Sequence, residues 1–213
     1  MLHFISQPCK VLKVKATPRP YHHGNLREAL LRAAEKRLVA NGVQDISLRE
    51  LSRELGVSHT SPRRHFADKQ ALLDALALRG FERFADALGR AARLGGPDFK
   101  GRLTKLARAY VGFALKYPAL LSLMFEAKHR PDAPRELLEA SERAFGHAHT
   151  TFMAGQATGE VVTGDPWRLS IVVFSALLGL VSISDNGKFK GIPLDRLVGD
   201  VIERIILGLR PRS

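Results

Sequence analysis

The side chains best able to do chemistry in this chain are gathered in one short stretch. His59, Thr60, Ser61, Arg63, Arg64 and His65 supply imidazoles, hydroxyls and guanidiniums within barely two helical turns. An arginine can reach a guanine edge through paired hydrogen bonds, and a hydroxyl can meet a base or a phosphate. Just upstream, Leu48, Leu51 and Leu55 recur at helical spacing before Gly56 and Val57. Those leucines can bury one side of a helix that Gly56 then ends. Two short helices joined by a tight turn containing glycine form a helix-turn-helix. The polar helix is too short to stand alone. Held rigidly by its neighbours with donors outward, it fits the major groove of DNA. The competing reading is an ordinary capped surface helix.

No other constellation points to a reaction. The sequence contains no Gly-x-x-x-x-Gly-Lys-Ser/Thr phosphate loop, no Gly-x-Ser-x-Gly elbow and no His-Glu-x-x-His helix. His147 and His149 are two apart, which points them to different sides of a helix. His22 and His23 fall in a loop, and metal-ligand spacings are missing. No paired carboxylates stand in a catalytic setting, and no nucleophile has a base beside it. The expectation is therefore no catalytic site, no metal and no cofactor.

Composition agrees with a polyanion-binding protein. Lys and Arg number 33 against 21 Asp and Glu, giving a net charge of +12 over 213 residues. Such an excess attracts nucleic acid or an anionic membrane face. The apolar share of 45% is enough for one sizeable core or two small domains. The longest apolar run, Ile171–Ile183, falls short of the roughly 20 residues of a spanning helix. Cys9 is the single cysteine and cannot form an internal bridge, so a reducing cytoplasm is expected. Residues 1–20 carry Lys10, Lys13, Lys15 and Arg19 among prolines, with no cleavage site of a signal peptide. They read as a mobile basic arm, or in part as the product of a misplaced start codon.

These motifs need helices to position them. Leu26, Ala29, Leu30, Ala33, Ala34 and Leu38 share one helical face, with Asn25 as N-cap and Asn41-Gly42 as the stop. Ser47 followed three residues on by Glu50 is a capping box opening the second helix. Ser58 caps a third over 59–65. Asp68 caps a fourth that runs through Leu72, Leu73, Leu76 and Phe81 to about Leu94. Gly95-Gly96-Pro97 is a break. Further helices are predicted up to Lys116-Tyr117-Pro118, over Ala119–Ala127, over Arg135–Ala157 after a turn at Pro131–Pro134, over Trp167–Ser184, and over Leu194–Leu209 after a turn at Asp185-Asn186-Gly187. No stretch alternates at period two for long. The predicted fold is all-α with about nine helices. It divides into a basic arm at 1–20, a three-helix head at 21–83 and a larger helical domain at 84–213.

An ordered series of motifs carries a family resemblance. The motifs are Tyr21-His22-His23-Gly24-Asn25-Leu26, Ser47-Leu48-Arg49-Glu50-Leu51, Gly56-Val57-Ser58-His59, and Arg64-His65-Phe66-Ala67-Asp68-Lys69 with Leu72-Leu73. Together they resemble the DNA-binding domain of the TetR family of bacterial transcriptional regulators over residues 21–83; the remainder resembles the family's variable half more loosely. The resemblance implies a homodimer whose third helices enter the two halves of a near-palindromic operator. It implies a small molecule in the larger domain that alters the spacing of the heads. It places Ser47 and Arg49 on phosphate, Thr60, Ser61 and Arg64 at or beside bases, and Lys69 on the phosphate backbone; His59, Arg63 and His65 complete the DNA-facing set. Phe66 reads as core. The chain departs from the family at Arg63, where an aromatic residue, most often Tyr, is usual. Pro62 lies in the first turn of the third helix, where a missing amide costs little. Lys15 and Arg19 either enter a minor groove or belong to a disordered tail.

In the larger half, Leu194, Leu197, Val198, Val201, Ile202, Ile205, Ile206 and Leu209 form a wide apolar stripe, and Trp167–Ser184 is apolar nearly all round. Such helices need cover on more than one face. Packing within the chain could supply it, or a four-helix, two-fold interface of 167–184 and 194–209 with a second copy. Tyr110, Phe113, Tyr117, Met124, Phe125, Phe152 and Phe174 are either core or the lining of a cavity for an apolar or aromatic effector. One subfamily carries a Trp-x-x-x-His-Gly signature here, whereas the matching positions are Phe174, Leu178 and Gly179. The expected function is a cytoplasmic, sequence-specific transcriptional regulator, read as a repressor released by such an effector. The alternatives are a DNA-binding regulator without small-molecule control and a basic helical enzyme or carrier.

Overall fold

Apolar stripes of helical period fill the stretches between the glycine and proline breaks, and each longer stripe becomes a helix. The structure, a computed structural model, describes residues 26–184 and 187–210. The basic arm, Lys15 and Arg19, the Asn25 cap and the Asp185-Asn186 half of a turn lie outside the described residues. The helices are α1 (Leu26–Asn41), α2 (Leu48–Glu54), α3 (Lys69–Leu94), α4 (Phe99–Lys116), α5 (Pro118–Lys128), α6 (Arg135–Ala157), α7 (Pro166–Ser182) and α8 (Leu194–Leu209), with 3-10 turns at Val43–Asp45 and Pro62–Arg64. The fold is all-α. The expected count of about nine is close to the eight observed, and the difference is the 59–65 segment, which is not an α-helix.

One small feature breaks the helical pattern. β1 (Lys188–Phe189) and β2 (Ile192–Pro193) pair antiparallel, Phe189 opposite Ile192. Lys190 and Gly191 both hold positive φ, 48° and 81°, as a tight two-residue hairpin turn requires.

α3 is the spine that joins the two parts. It packs on α1 of the head and on α4, α5 and α6 of the larger part. Phe81, Phe84 and Leu76 are fully buried along it. α5 lies close against it because Gly80 has no side chain. A Cβ there would stand 2.6 Å from Met124 Sδ. Ion pairs fasten the head to the spine: Arg83 forks onto Glu35 of α1, and Arg79 meets Glu28 at 2.6 Å. The Glu35 hydrogen bond raises the Arg83 guanidinium above its ordinary value. Behind α5, Arg130 reaches Asp74 of α3 at 2.7 Å.

The last two helices differ in how they use their apolar surface. α8 buries Leu194, Val198, Ile202, Ile206 and Leu209 and packs against α4 and α7. α7 buries only Val173, Leu177 and Leu180. Its Ile171 and Val172, and Ile183 just after it, stay more than half exposed. No helix among the described residues is long and apolar enough to cross a membrane.

Candidate nucleic-acid interface and ligand cavity

The helix-turn-helix is built by a specific stop. Gly56 holds φ +66°. Its amide donates to the Arg53 carbonyl at 3.3 Å, and the Val57 amide to the Ser52 carbonyl at 3.0 Å. That pair of bonds is a Schellman cap. It turns the chain so that Val57, Pro62 and Phe66 pack inward beside Leu51. Arg27 of α1 lies over the Phe66 ring at 5.3 Å, which settles Phe66 as core.

The segment after this turn is wound more tightly than the expected helix. The Ser61 amide donates to the Ser58 carbonyl at 3.1 Å, that of Arg64 to Ser61 at 3.3 Å, and that of His65 to Pro62 at 2.9 Å. These are three-residue steps, and only Phe66 to Pro62, at 2.9 Å, has α-helical spacing. Pro62 brings no amide to the ladder, so the segment stays a turn followed by a 3-10 turn. The Ser58 hydroxyl does not cap a backbone amide either. It bonds the Ser61 hydroxyl at 2.7 Å and the Thr60 hydroxyl at 3.2 Å. The polar display survives this correction: His59, Thr60, Arg63, Arg64 and His65 are exposed and Ser61 is partly so.

A second expectation also needs correcting. Ser47 is the N-cap of α2, with extended backbone, but its hydroxyl makes no cap bond. Glu50 does not return to it and pairs with Arg53 instead. On an exposed helix face, an ion partner one turn away outcompetes the box. Asp68, by contrast, caps α3 as expected, accepting from the Ala71 amide at 2.8 Å. Lys69 therefore stands in the first turn of a long helix, where the dipole favours an anion.

Charge pairing separates two sets of arginines in the head. Arg32, Arg37, Arg53, Arg79 and Arg83 are each in an ion pair. Arg27 covers Phe66. Arg49, Arg63 and Arg64, and Lys69 with them, have no carboxylate partner within 4 Å among the described residues, and the three arginines are exposed. The free arginines of the head are therefore those on α2 and the 3-10 turn, with Lys69 at the start of α3 beside them; Lys36 on α1 is exposed and unpaired as well. Exposed cations without partners leave their charge available to phosphate.

In the larger part, α3, α4, α6 and α7, with the end of α5, line a half-open cavity of about 600 Å³. Tyr110, Phe152 and Phe174 line it as expected. Phe113 and Tyr117 do not; they border a separate cleft with Arg83, Arg90 and Lys116. Met124 lines neither and fills the α3–α5 contact at Gly80. Phe125 faces a surface groove beside α7. The cavity between α3, α4, α6 and α7 also holds side chains that sequence reasoning missed, among them Phe84, Phe145, Trp167 and Lys128. Phe125 and Lys128, three apart on α5, were the available signal for an aromatic and cation pair on one face. Lys128 Nζ lies 4.8 Å from the Phe145 ring centre and 5.2 Å from that of Phe125. Burial pushes its ammonium below the ordinary lysine value. The Tyr110 hydroxyl is buried without a hydrogen-bond partner, and desolvation pushes it up to about 12. No cluster of His, Cys, Asp and Glu able to hold a metal occurs among the described residues.

Known proteins resemble both parts. The family described as "Bacterial regulatory proteins, tetR family" matches residues 30–76. That described as "Tetracyclin repressor-like, C-terminal domain" matches residues 103–209. The HTH-type transcriptional regulator Rv1816 of Mycobacterium tuberculosis is 26% identical over 62% of this chain; the match spans 58% of that relative's length. A solved structure of a protein of unknown function from Rhodococcus sp. RHA1 is 40% identical, covers 91% of this chain and 100% of its own, and superposes with a TM-score of 0.84. The regulator PfmR of Thermus thermophilus shares the fold at 18% identity and a TM-score of 0.66, over 85% of this chain and 99% of its own.

Proposed function

The chain belongs to the TetR family of bacterial transcriptional regulators, and from that premise we propose that it binds a near-palindromic operator as a homodimer and releases it when a small apolar molecule fills the larger domain. Family members are DNA-binding transcription factors and not enzymes, so the cavity is read as a control site. Its working sign is repression.

The observation that carries the DNA reading is the division of the head's arginines. Those elsewhere in the head are paired or cover a ring, whereas Arg49, Arg63 and Arg64 stay free and exposed around one turn. Ser47, His59, Thr60, Ser61, His65 and Lys69 join them as the proposed DNA-facing set. Arg64 is assigned to a base edge, and Lys69 and Arg49 to phosphates. The dimer reading rests on α7. Val172, Ser175, Gly179 and Ser182 lie on one exposed face, flanked by Ile171 and Leu178. Gly179 has open space where a side chain would stand, so a second copy of α7 can approach closely. α8 contributes less than its stripe suggested, because most of that stripe is covered within the subunit. The effector reading rests on the 600 Å³ apolar cavity, whose size is that of ordinary ligand sites.

Selection of bound fragments from genomic duplex DNA tests the proposal. An inverted repeat protected on one side of the duplex supports site, dimer and symmetry together. Recovery of a single unrepeated half-site, or of no preferred sequence, overturns it.

A further inference from the structure

The cavity carries two polar groups that its apolar walls leave unmatched. Tyr110 is 4% exposed, lines the cavity from α4, and its hydroxyl finds no acceptor among the described residues. An unmade hydrogen bond at a buried donor is unfavourable, and a ligand acceptor would satisfy it. Lys128 lines the same cavity from the end of α5 and has no carboxylate within 4 Å among the described residues. Its ammonium lies over the Phe145 and Phe125 rings, and it also borders the surface groove beside α7. Glu142 is the one carboxylate in the lining, and it is exposed and makes no ion pair with Lys128. The two polar groups flank one aromatic cluster. Tyr110 meets Phe174 at 5.5 Å between ring centres, Phe174 meets Phe145 at 5.4 Å, and Phe145 sits under the lysine.

Resting on the effector reading above, we infer that the ligand is an organic monoacid: an apolar or aromatic body seated among Phe84, Phe145, Phe152 and Phe174, with a carboxylate neutralised by Lys128 and an acceptor oxygen for the Tyr110 hydroxyl. A partly buried ammonium without a counter-ion favours an anion over a neutral group. It also disfavours a cationic ligand, although aromatic walls alone would accept one. A tyrosine hydroxyl is a donor at neutral pH, and burial moves the Tyr110 ionisation further away, up to about 12.

The chain provides its own reporter. Trp167 is its single tryptophan, lines the cavity and stacks on His149 at 4.5 Å. Its fluorescence is titrated in the full chain with three probes that share one tail: decanoate, decanol and decyltrimethylammonium. Decanoate is expected to bind about tenfold or more tighter than decanol, the scale of one hydrogen bond to a charged group. Lys128→Met is expected to abolish that preference and leave decanol unchanged; Lys128→Arg is expected to retain it. Tyr110→Phe is expected to weaken decanoate and decanol alike. Equal affinity for decanoate and decanol, or a preference that survives Lys128→Met, overturns the monoacid inference while the effector cavity stands. Tightest binding of decyltrimethylammonium overturns it in favour of a cation. If no probe moves the Trp167 signal, the effector reading falls as well.

Discussion

Arg64 and Lys69 are assigned different tasks, so truncating each should leave a different trace. Arg64 is exposed and has no ion partner among the described residues. Arg64→Ala therefore removes no internal contact, and folding stability should move by less than about 0.5 kcal/mol. A paired arginine contact to a guanine edge is worth about 1–3 kcal/mol. A two-fold dimer carries it twice, so operator binding should weaken by about 2–6 kcal/mol, or from roughly thirtyfold to more than ten-thousandfold. Binding to an unrelated duplex should fall far less. Lys69 neutralises one phosphate per head by this reading. Two copies at about 0.9 each should flatten the slope of log affinity against log salt by about 1.8. Fluorescence anisotropy of labelled operator and unrelated duplex, over a series of potassium chloride concentrations, measures all of these quantities. Arg32→Ala, on α1 and paired with Glu28, is the control and should change little. If Arg64→Ala weakens both duplexes equally, Arg64 contacts only backbone. If Lys69→Ala leaves the slope unchanged, the phosphate role is wrong.

The remaining predictions concern packing, capping and charge. Asp68→Ala removes an observed cap bond and should lower stability by about 1 kcal/mol, whereas Ser47→Ala should lower it by less than about half of that, since its hydroxyl caps nothing; urea unfolding separates them. Gly155→Ala places a Cβ 2.7 Å from both Phe99 and Val161, two buried side chains, and should lower Tm by several degrees through about 1–3 kcal/mol of overpacking. Gly146→Ala, on the same helix with open space, should raise it slightly, as calorimetry can show. Val172→Glu should produce a folded monomer by sedimentation with weakened operator binding, because Val172 is exposed in the single subunit and placed at the two-fold face. Burial lowers the Lys128 ammonium in the folded chain, so the unfolded chain holds that proton more tightly. The penalty is complete below the folded ionisation and is relieved as pH rises through it. Lys128→Met should therefore raise Tm at neutral pH, and the gain should shrink in alkaline buffer.

Most of the helical framework was legible in the residues themselves. α6 and α8 fall on the bounds that their stripes and breaks predicted, and Asp68, Gly56 and Gly42 end or begin helices for local reasons. Local chemistry acts within a few residues, so it can be read along the chain. Where two local options compete, only the folded chain chooses. Glu50 turned to Arg53 and abandoned Ser47. Pro62 withheld an amide and held 59–65 in a tighter turn.

What the sequence alone determined is the set of helices, the polar turn and the positive charge, because periodicity, caps and composition are properties of neighbours in the chain. The tertiary structure decided which aromatic side chains face a void. A buried stripe has the same spacing whether it meets another helix or an opening, and so Met124 proved to be packing, Phe113 and Tyr117 border another cleft, and Phe84, Phe145 and Lys128 became the cavity wall. It also decided which cations remain free, since the carboxylates that neutralise Arg37, Arg79 and Arg83 arrive from elsewhere in the chain.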